Sequence, residues 1–397
     1  MKENRPPMET SKRPLDGITV IELAGLGPAP FCGMLLSDMG ARVIRIDRPP
    51  AGTDGSMNDL ADGPVNRGRE SICIDLRHER GVETLLRLVR EADVLIEGFR
   101  PGVAEKLGFG PEVCARLNPR LIFARMTGWG QSGPLARTAG HDINYIGLSG
   151  ALYAMGDSNA PPPPPLNLVG DYGGGGMVMA YGIVCALFEA AKSGRGQVLD
   201  AAMSDGAALL MSPIYAMLGR KHWSVERHSN FLDGAAPFYC TYRCADGKFM
   251  AVGAIEAPFY RQLLELLQID DLDLSEQWRR ETWEKTRTRI AGRFLERTRD
   301  AWTAVFQGSD ACCTPVLDMA EAPHHPHNLA RGSFVTMHDG QTPAPAPRLS
   351  RTPPRMADAV PRIGAQTLSV LESQGFSGAE IDALLTQRVV FTQAQSA

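Results

Sequence analysis

Three residues have the types and settings from which proton chemistry is built: His141, Asp171 and Glu256. His141 follows a glycine in Gly140-His141-Asp142-Ile143-Asn144-Tyr145, where the pattern predicts the start of a helix. Asp142 or its neighbour would cap that helix, leaving backbone N–H groups to hold a developing oxyanion such as an enolate. An imidazole there could take a proton; the plainer alternative is a capping or core histidine. Asp171, followed by Tyr172, stands just before four consecutive glycines and a helix. It is either a helix N-cap or a carboxylate where missing side chains let a ligand approach the backbone. Glu256 ends the apolar stretch Met250–Ile255, ahead of Ala257-Pro258. It either begins the next helix or supports an imidazolium, as the acid of a triad does.

A second group of residues could hold an anion. The expected strand Ile18–Leu23 leads to Gly25 and Gly27, a helix, and a second strand ending at Asp47. That is most of a dinucleotide fingerprint, but the third glycine is replaced by Pro30. The turn is therefore open to three readings: NAD binding, an ordinary βαβ turn, or a site for another adenine nucleotide with Arg48 pairing a phosphate. Arg67, Arg69, Arg77 and Arg100 lie near strand ends in the same half. Singly each reads as a surface charge; as a set on one sheet edge they would suit the phosphates of coenzyme A.

The elements that must position these residues follow a β/α rhythm. Apolar strands are predicted at Ile18–Leu23, Arg42–Asp47, Ser71–Leu76, Asp93–Glu97 and Leu121–Met126, with helices such as Pro30–Met39 and Glu79–Glu91 between them. Buried strands alternating with amphipathic helices imply an α/β fold with a mostly parallel sheet covered on both faces. The five prolines Pro161–Pro165 read as a stiff extended connector. After them come the glycines Gly173–Gly176, a helix from about Met177 to Lys192, a strand Val198–Met203 and a helix Ser204–Leu218. Near Phe238 the texture changes: Tyr239–Cys244 and Lys248–Ile255 form a predicted hairpin about Ala245-Asp246-Gly247, followed by charged helices and the strand Cys313–Leu317. The expected division is a large domain over 1–201, linker helices over 202–239, a smaller α+β domain over 240–328, and a return to the large domain over 329–397.

Composition removes several function classes. Apolar residues make up 44% of the 397, charged residues 22%, and the net charge is −4, which gives no reason to expect nucleic acid. The eight cysteines form no C-x-x-C pair, so they read as small core residues. His324-His325-Pro326-His327 resembles a metal tract, yet Pro326 breaks the spacing; no metal is expected. No G-x-S-x-G or P-loop is present. The first residues are polar and the apolar run Met177–Ala190 is too short for a bilayer, so a cytoplasmic protein with no membrane partner is expected.

The motifs in this order resemble the family III CoA-transferases and, within them, the α-methylacyl-CoA racemase branch. The resemblance runs over roughly residues 14 to 350 and rests on VIELAGLGPAPF, VIRIDRP, DVLIEGFRPGVAEKLGFGPE, LIFARMTGWGQSGP, GHDINYIGLSG, PPLNLVGDYGGGGM, GQVLDAAMSDG, LDGAAPFY, FMAVGAIEAPFY and DACCTPVL. It implies a Rossmann-like large domain plus a small domain, with two chains interlocked as a homodimer. It implies that His141 and Asp171 are the two catalytic acid/bases, and that Glu256, from the partner subunit, supports His141. It implies coenzyme A contacts at Arg48, at Ile74-Asp75-Leu76-Arg77 around the adenine and at Arg100 nearby, with Gly140, Asp142, Ile143, Asn144 and Tyr145 supporting the thioester. Two positions depart from the pattern: Arg77 stands where lysine is frequent, and Arg69-Glu70 replaces a more basic pair.

The implied reaction interconverts the 2R and 2S forms of a 2-methyl-branched acyl-CoA, with no cofactor beyond the coenzyme A of the substrate. The α-proton of a thioester is less acidic than a carboxylic acid by more than roughly ten pK units, a gap of over about 13 kcal/mol. Hydrogen bonds to the enolate must narrow it. One base returns the proton to the face it came from; two bases flanking C2 permit inversion. The rival is a CoA transferase with Asp171 as nucleophile, against which His141 and Glu256 argue. Met203, Met211 and Met217, expected along one helix, are of a kind more often found in a core than on a binding surface, but with Trp223 they would suit an apolar acyl groove.

Overall fold

Alternation within the strands decides which side chains face which layer. The computed structural model describes residues 12–49, 63–337, 340–357 and 359–393. The readings made on residues 1–11 and 394–397 lie outside them. The chain runs β1 (Thr19–Leu23), α1 (Pro28–Asp38), β2 (Arg42–Asp47), β3 (Arg69–Ile74), α2 (Glu79–Val89), β4 (Val94–Glu97), α3 (Val103–Leu107), α4 (Pro111–Leu117), β5 (Ile122–Thr127) and α5 (Asp142–Leu148). A wide π-helical stretch, Leu168–Met177, continues directly into α6 (Val178–Ser193), and β6 (Val198–Ala202) leads into α7 (Met203–Leu210).

The six strands pair in the order β3-β2-β1-β4-β5-β6, all parallel, with Val390–Phe391 added antiparallel beside β3. This is the strand order of dinucleotide-binding folds, whose topological switch lies where β2 and β4 flank β1. Ile21, Ile44 and Leu95 face one layer with Leu85, Leu88 and the later residues Val370, Leu371 and Leu384. Their neighbours Val20, Val43, Val94 and Ile96 face the other layer with Cys32 and Leu36 of α1 and Met179 and Ile183 of α6. Both faces are covered, as a parallel sheet requires.

The chain divides into two units: 1–149, 165–210 and 334–397 form the first, and 150–164 and 211–333 the second. The segment 202–239, expected to be linker helices, is split between them after Leu210. The second unit has a three-stranded antiparallel sheet in which Phe249–Gly253 pairs with both Tyr239–Arg243 and Cys313–Pro315. Phe238, Tyr260, Trp283, Phe294 and Trp302 fill its core.

Three expectations are corrected. The helix Ser204–Leu218 is two helices, α7 and Ser212–Gly219, because Pro213 starts a new one. The methionines 203, 211 and 217 therefore do not share one helix. The apolar helix is also longer than Met177–Ala190: among the described residues Leu168–Ser193, 26 residues, is long and apolar enough to cross a membrane. In the first unit it packs instead on β5, β6 and α1. Finally, five cysteines are buried as expected, but Cys185 and Cys312 are exposed.

Candidate active site

His141 is the N-cap of α5, with extended backbone (φ −133°, ψ 174°) and an exposed side chain. Its N–H donates to Asn144 Oδ1 at 3.0 Å, and its carbonyl accepts from the N–H groups of Asn144 and Tyr145. That closes the first turn and leaves the N–H groups of Asp142 and Ile143 with no acceptor among the described residues. The side chains of this turn divide. Ile143 and Asn144 are exposed, whereas Asp142 and Tyr145 are buried. The Tyr145 hydroxyl donates to the carbonyl of Gly140, and its ring meets Trp129 edge-on at 4.8 Å. A side chain at Gly140 would strike both rings, 2.8 Å from Tyr145 and 3.1 Å from Trp129.

Asp171 is not a helix cap. It lies within the π-helix, whose N-cap is Asn167, and the four glycines belong to the same element. Their role is close approach. A Cβ on Gly174 would lie 2.6 Å from the backbone nitrogen of Ala207 in α7, and one on Gly176 would lie 2.7 Å from the Phe31 ring of α1. Only bare backbone lets this turn fit between the two helices. Asp171 N–H donates to Asp142 Oδ1 at 2.7 Å, and Asn167 Nδ2 donates to Asp171 Oδ2 at 3.2 Å. Asn167 was not singled out from the sequence; its spacing of four residues from Asp171, one helical turn, was the available signal.

Electrostatics connects the two acid/base candidates. Burial pushes the Asp171 carboxyl above the ordinary range; the hydrogen bond from Asn167 and the nearby His141 oppose this, and Asp142 adds to it. Burial likewise raises the Tyr145 phenol, with Asp171 and Asp142 raising it further and Arg100 opposing them. His141, Asp142, Asp171 and Tyr145 thus share one electrostatic neighbourhood at the start of α5. The glycine turn of the incomplete dinucleotide fingerprint borders it: Gly27 (φ 71°) brings its Cα face within 3.4 Å of Asp171 Oδ2, measured from where a Cβ would stand.

A cavity of about 380 Å³ opens at the C-terminal ends of β1, β2 and β3, walled on the far side by Phe99, Val103 and Leu107. Arg48, Ile74, Asp75, Leu76 and Arg77 all line it. It sits at the switch point where ligands bind in such sheets. Arg48 is exposed and lies over the Phe99 ring at 5.5 Å. Arg77 is held by Asp75 at 3.0 Å but is otherwise open to solvent. Arg100 is exposed and is not among the lining residues.

The idea of a wider arginine set on this edge does not hold. Arg67 and Arg69 are buried and committed within the protein. Arg67 pairs with Asp38 at 2.6 Å, and Arg69 pairs with Glu22 at 3.0 Å while also donating to the carbonyls of Pro30, Val65 and Arg67. Neither guanidinium is available to a phosphate.

In the second unit Glu256 is exposed and is the N-cap of the helix Ala257–Leu266. Its backbone carbonyl starts that helix by accepting from Tyr260, but its carboxylate makes no capping bond. It lies near Cys312, whose thiol is pushed up first by burial and then by Glu256. Met211 and Trp223 line a separate cavity of about 280 Å³ in this unit with Tyr153, Ile214, Tyr215 and Leu218. Among the described residues no group of three or more His, Cys, Asp or Glu is placed to hold a metal ion.

A parallel sheet with an anion-suited cavity at its switch point, and an aspartate among glycines beside a histidine-capped helix, are accompanied by a sequence match over residues 15–367: the chain belongs to CoA-transferase family III. Within it, the chain is similar to two named racemases. It is 47% identical over 378 residues to the alpha-methylacyl-CoA racemase of Homo sapiens, covering 95% of this chain and 97% of that one. It is 48% identical over 380 residues to that of Mus musculus, with the same coverage of 95% and 97%. It is also 30% identical to the succinyl-CoA–L-malate CoA-transferase alpha subunit of Chloroflexus aurantiacus, over 95% of this chain and 92% of that one. Among solved structures, a CAIB/BAIF family protein from Brucella suis matches with a TM-score of 0.78 at 26% identity, over 91% of this chain and 100% of that one.

Proposed function

We propose that this chain is an α-methylacyl-CoA racemase that interconverts the 2R and 2S forms of 2-methyl-branched acyl-CoA thioesters. The observation that carries the reading is a pair of acid/base side chains, His141 and a half-buried Asp171 with a raised affinity for its proton, in one electrostatic neighbourhood. The much closer similarity to racemases than to the Chloroflexus transferase supports it.

In this reading the adenine and phosphates of the coenzyme lie in the β1–β3 cavity against Ile74-Asp75-Leu76-Arg77 and Arg48, with Arg100 nearby. The thioester carbonyl lies at the start of α5, in the segment Gly140–Tyr145. The unpaired N–H groups of Asp142 and Ile143 hold the enolate oxygen there, where fixed donors are worth more than water. His141 takes the proton from one face of C2 while Asp171 gives one on the other, and the roles exchange in the reverse direction. Burial narrows the acidity gap from the Asp171 side, since a carboxyl that holds its proton more tightly is a stronger base when ionised. The reaction needs no metal or redox cofactor, because every step is a proton transfer.

The partner subunit's Glu256 supports His141 in an interlocked homodimer, in line with a carboxylate that makes no capping bond in its own chain. An exposed apolar stripe on the long helix supports self-association: Met177, Tyr181, Val184 and Phe188 recur at helical spacing and are 52%, 72%, 45% and 65% exposed. The protein works in the cytoplasm without membrane or nucleic acid.

The test is to incubate the protein with one enantiomer of a 2-methylacyl-CoA in D₂O without an acceptor acid. The expected result is deuterium at C2 and formation of both epimers. Absence of exchange, with coenzyme A transfer once free carboxylates are added, would assign Asp171 the part of a nucleophile instead.

A further inference from the structure

Asp142 follows the proposed base His141 in sequence, yet its side chain turns into the protein and is 5% exposed. Oδ1 accepts the Asp171 backbone N–H at 2.7 Å. Oδ2 is buried and has no hydrogen-bond partner among the described residues. A buried carboxylate oxygen left unpaired is costly and calls for an explanation. Gly170 makes room for the group, since a Cβ there would lie 2.5 Å from Asp142 Oδ1.

We infer that Asp142 is a positioning residue for Asp171: its buried carboxylate anchors the wide turn that carries Asp171 and sets the electrostatic environment in which that carboxyl takes and gives its proton. The inference rests on the racemase reading and deepens it. The anchoring is geometric. A π-helical turn is wider than an α-helical one and rare, and it occurs frequently at functional sites. The bond from Asp171 N–H joins that turn to the same α5 start that bears His141, so both bases are referenced to one short segment. The electrostatic part is a like-charge effect, in which a second carboxylate nearby disfavours ionisation of the first. It acts in the same direction as burial.

The groups around the Asp171 carboxyl leave few rivals for this role. From α5 it faces His141 and Asp142, with Tyr145 beside them and Arg100 acting on Tyr145. Asn167, on its own element, is neutral. The other elements packed on the π-helix are α1, α6, β6 and α7. Their charged residues are Asp38, Glu189, Lys192, Asp200 and Asp205. Asp38 is taken by Arg67, Asp200 accepts from the Gln131 N–H, and the other three are exposed.

Two variants separate anchor from charge. Asp142→Asn keeps an oxygen acceptor for the Asp171 N–H and removes the charge; Asp142→Ala removes both. The readout is the pH profile of C2 deuterium exchange from a single 2-methylacyl-CoA enantiomer, together with the dissociation constant for free coenzyme A. Asp142→Asn is expected to move the acid limb of kcat/KM to lower pH by about half a unit or more. Coenzyme A affinity should stay unchanged. Asp142→Ala is expected to lose at least tenfold more kcat than the asparagine variant. An acid limb in Asp142→Asn that coincides with the unaltered protein, while that protein exchanges normally, overturns this inference alone. No exchange in the unaltered protein overturns the racemase reading and this one with it.

Discussion

Glu22 on β1 and Arg69 on β3 form a 3.0 Å salt bridge across the intervening β2, with both side chains wholly buried. The same guanidinium donates to the carbonyl of Pro30 in the first turn of α1, and to those of Val65 and Arg67. Gly33 of α1 leaves the space that the pair occupies. One side chain thereby ties two strands, a loop and the helix whose start borders Asp171.

Truncating this arginine leaves a buried carboxylate and several carbonyls unpaired. Arg69→Ala is expected to lower unfolding stability by roughly 3–5 kcal/mol. Arg69→Lys should recover less than half of that, because an ammonium cannot reproduce a planar fork reaching several acceptors. Urea denaturation of the three proteins checks both statements; a lysine variant as stable as the parent would contradict the multiple-acceptor account.

Removing either proposed base should abolish inversion while sparing coenzyme A binding. His141→Ala and Asp171→Asn are each expected to lose on the order of 10²–10⁴-fold in kcat, the range for a general acid/base. Isothermal titration with free coenzyme A should give near-parental affinity for both, since the β1–β3 cavity contains neither residue. Residual exchange of the C2 proton without inversion would point to one base acting alone.

Asp171 should also leave a mark on stability. Its folded-state proton affinity is raised by burial, so its contribution is fully present below the unfolded value of about 3.9 and is lost as pH rises through the folded value. At neutral pH the ionised, half-buried carboxylate is a burden that Asp171→Asn relieves. The variant is therefore expected to melt higher than the parent near pH 7, with the difference closing toward pH 4. Scanning calorimetry at both pH values tests this; an asparagine variant that melts lower at pH 7 would mean that its Asn167 contact outweighs the burial cost.

Among the described residues Arg48 makes no ion pair and lies over the aromatic face of Phe99. Arg48→Ala is expected to weaken coenzyme A binding about tenfold, roughly 1.4 kcal/mol. The loss should be smaller for a dephospho form of the coenzyme if Arg48 meets the missing phosphate, and should shrink as salt is raised. Equal losses for both forms at all salt concentrations would place Arg48 against the ring of Phe99 only.

Much of the fold was legible in the chain, and the exceptions depend on contacts between residues far apart in sequence. The strands of the large sheet follow from local patterning, because apolar periodicity and strand ends are properties of neighbouring residues, whereas Ile74-Asp75-Leu76-Arg77 were named only through the family resemblance. The fates of Arg67 and Arg69 do not, since their partners Asp38 and Glu22 lie 29 and 47 residues away. A basic residue near a strand end looks the same whether it meets solvent or a buried acid. The glycine run misled in another way: Asp171 read as a cap or a ligand-facing carboxylate ahead of a helix, and only packing between α1 and α7 makes the glycines part of a wide helix that contains it. Pro213 was a local signal of the break before Ser212–Gly219, yet the apolar run on either side of it read as one helix.

The bare backbone of Gly173–Gly176 has a consequence for how this chain could diverge. With helices pressed against it on two sides, that stretch offers no side chain to vary and almost no room to add one. New substrate preferences must therefore be written elsewhere, in residues that surround Asp171 without touching the glycines. The site behaves as a fixed floor under movable walls: selection or engineering that shifts the acyl group accepted would leave the floor alone, and a library randomised across those four positions should return glycine at nearly every one.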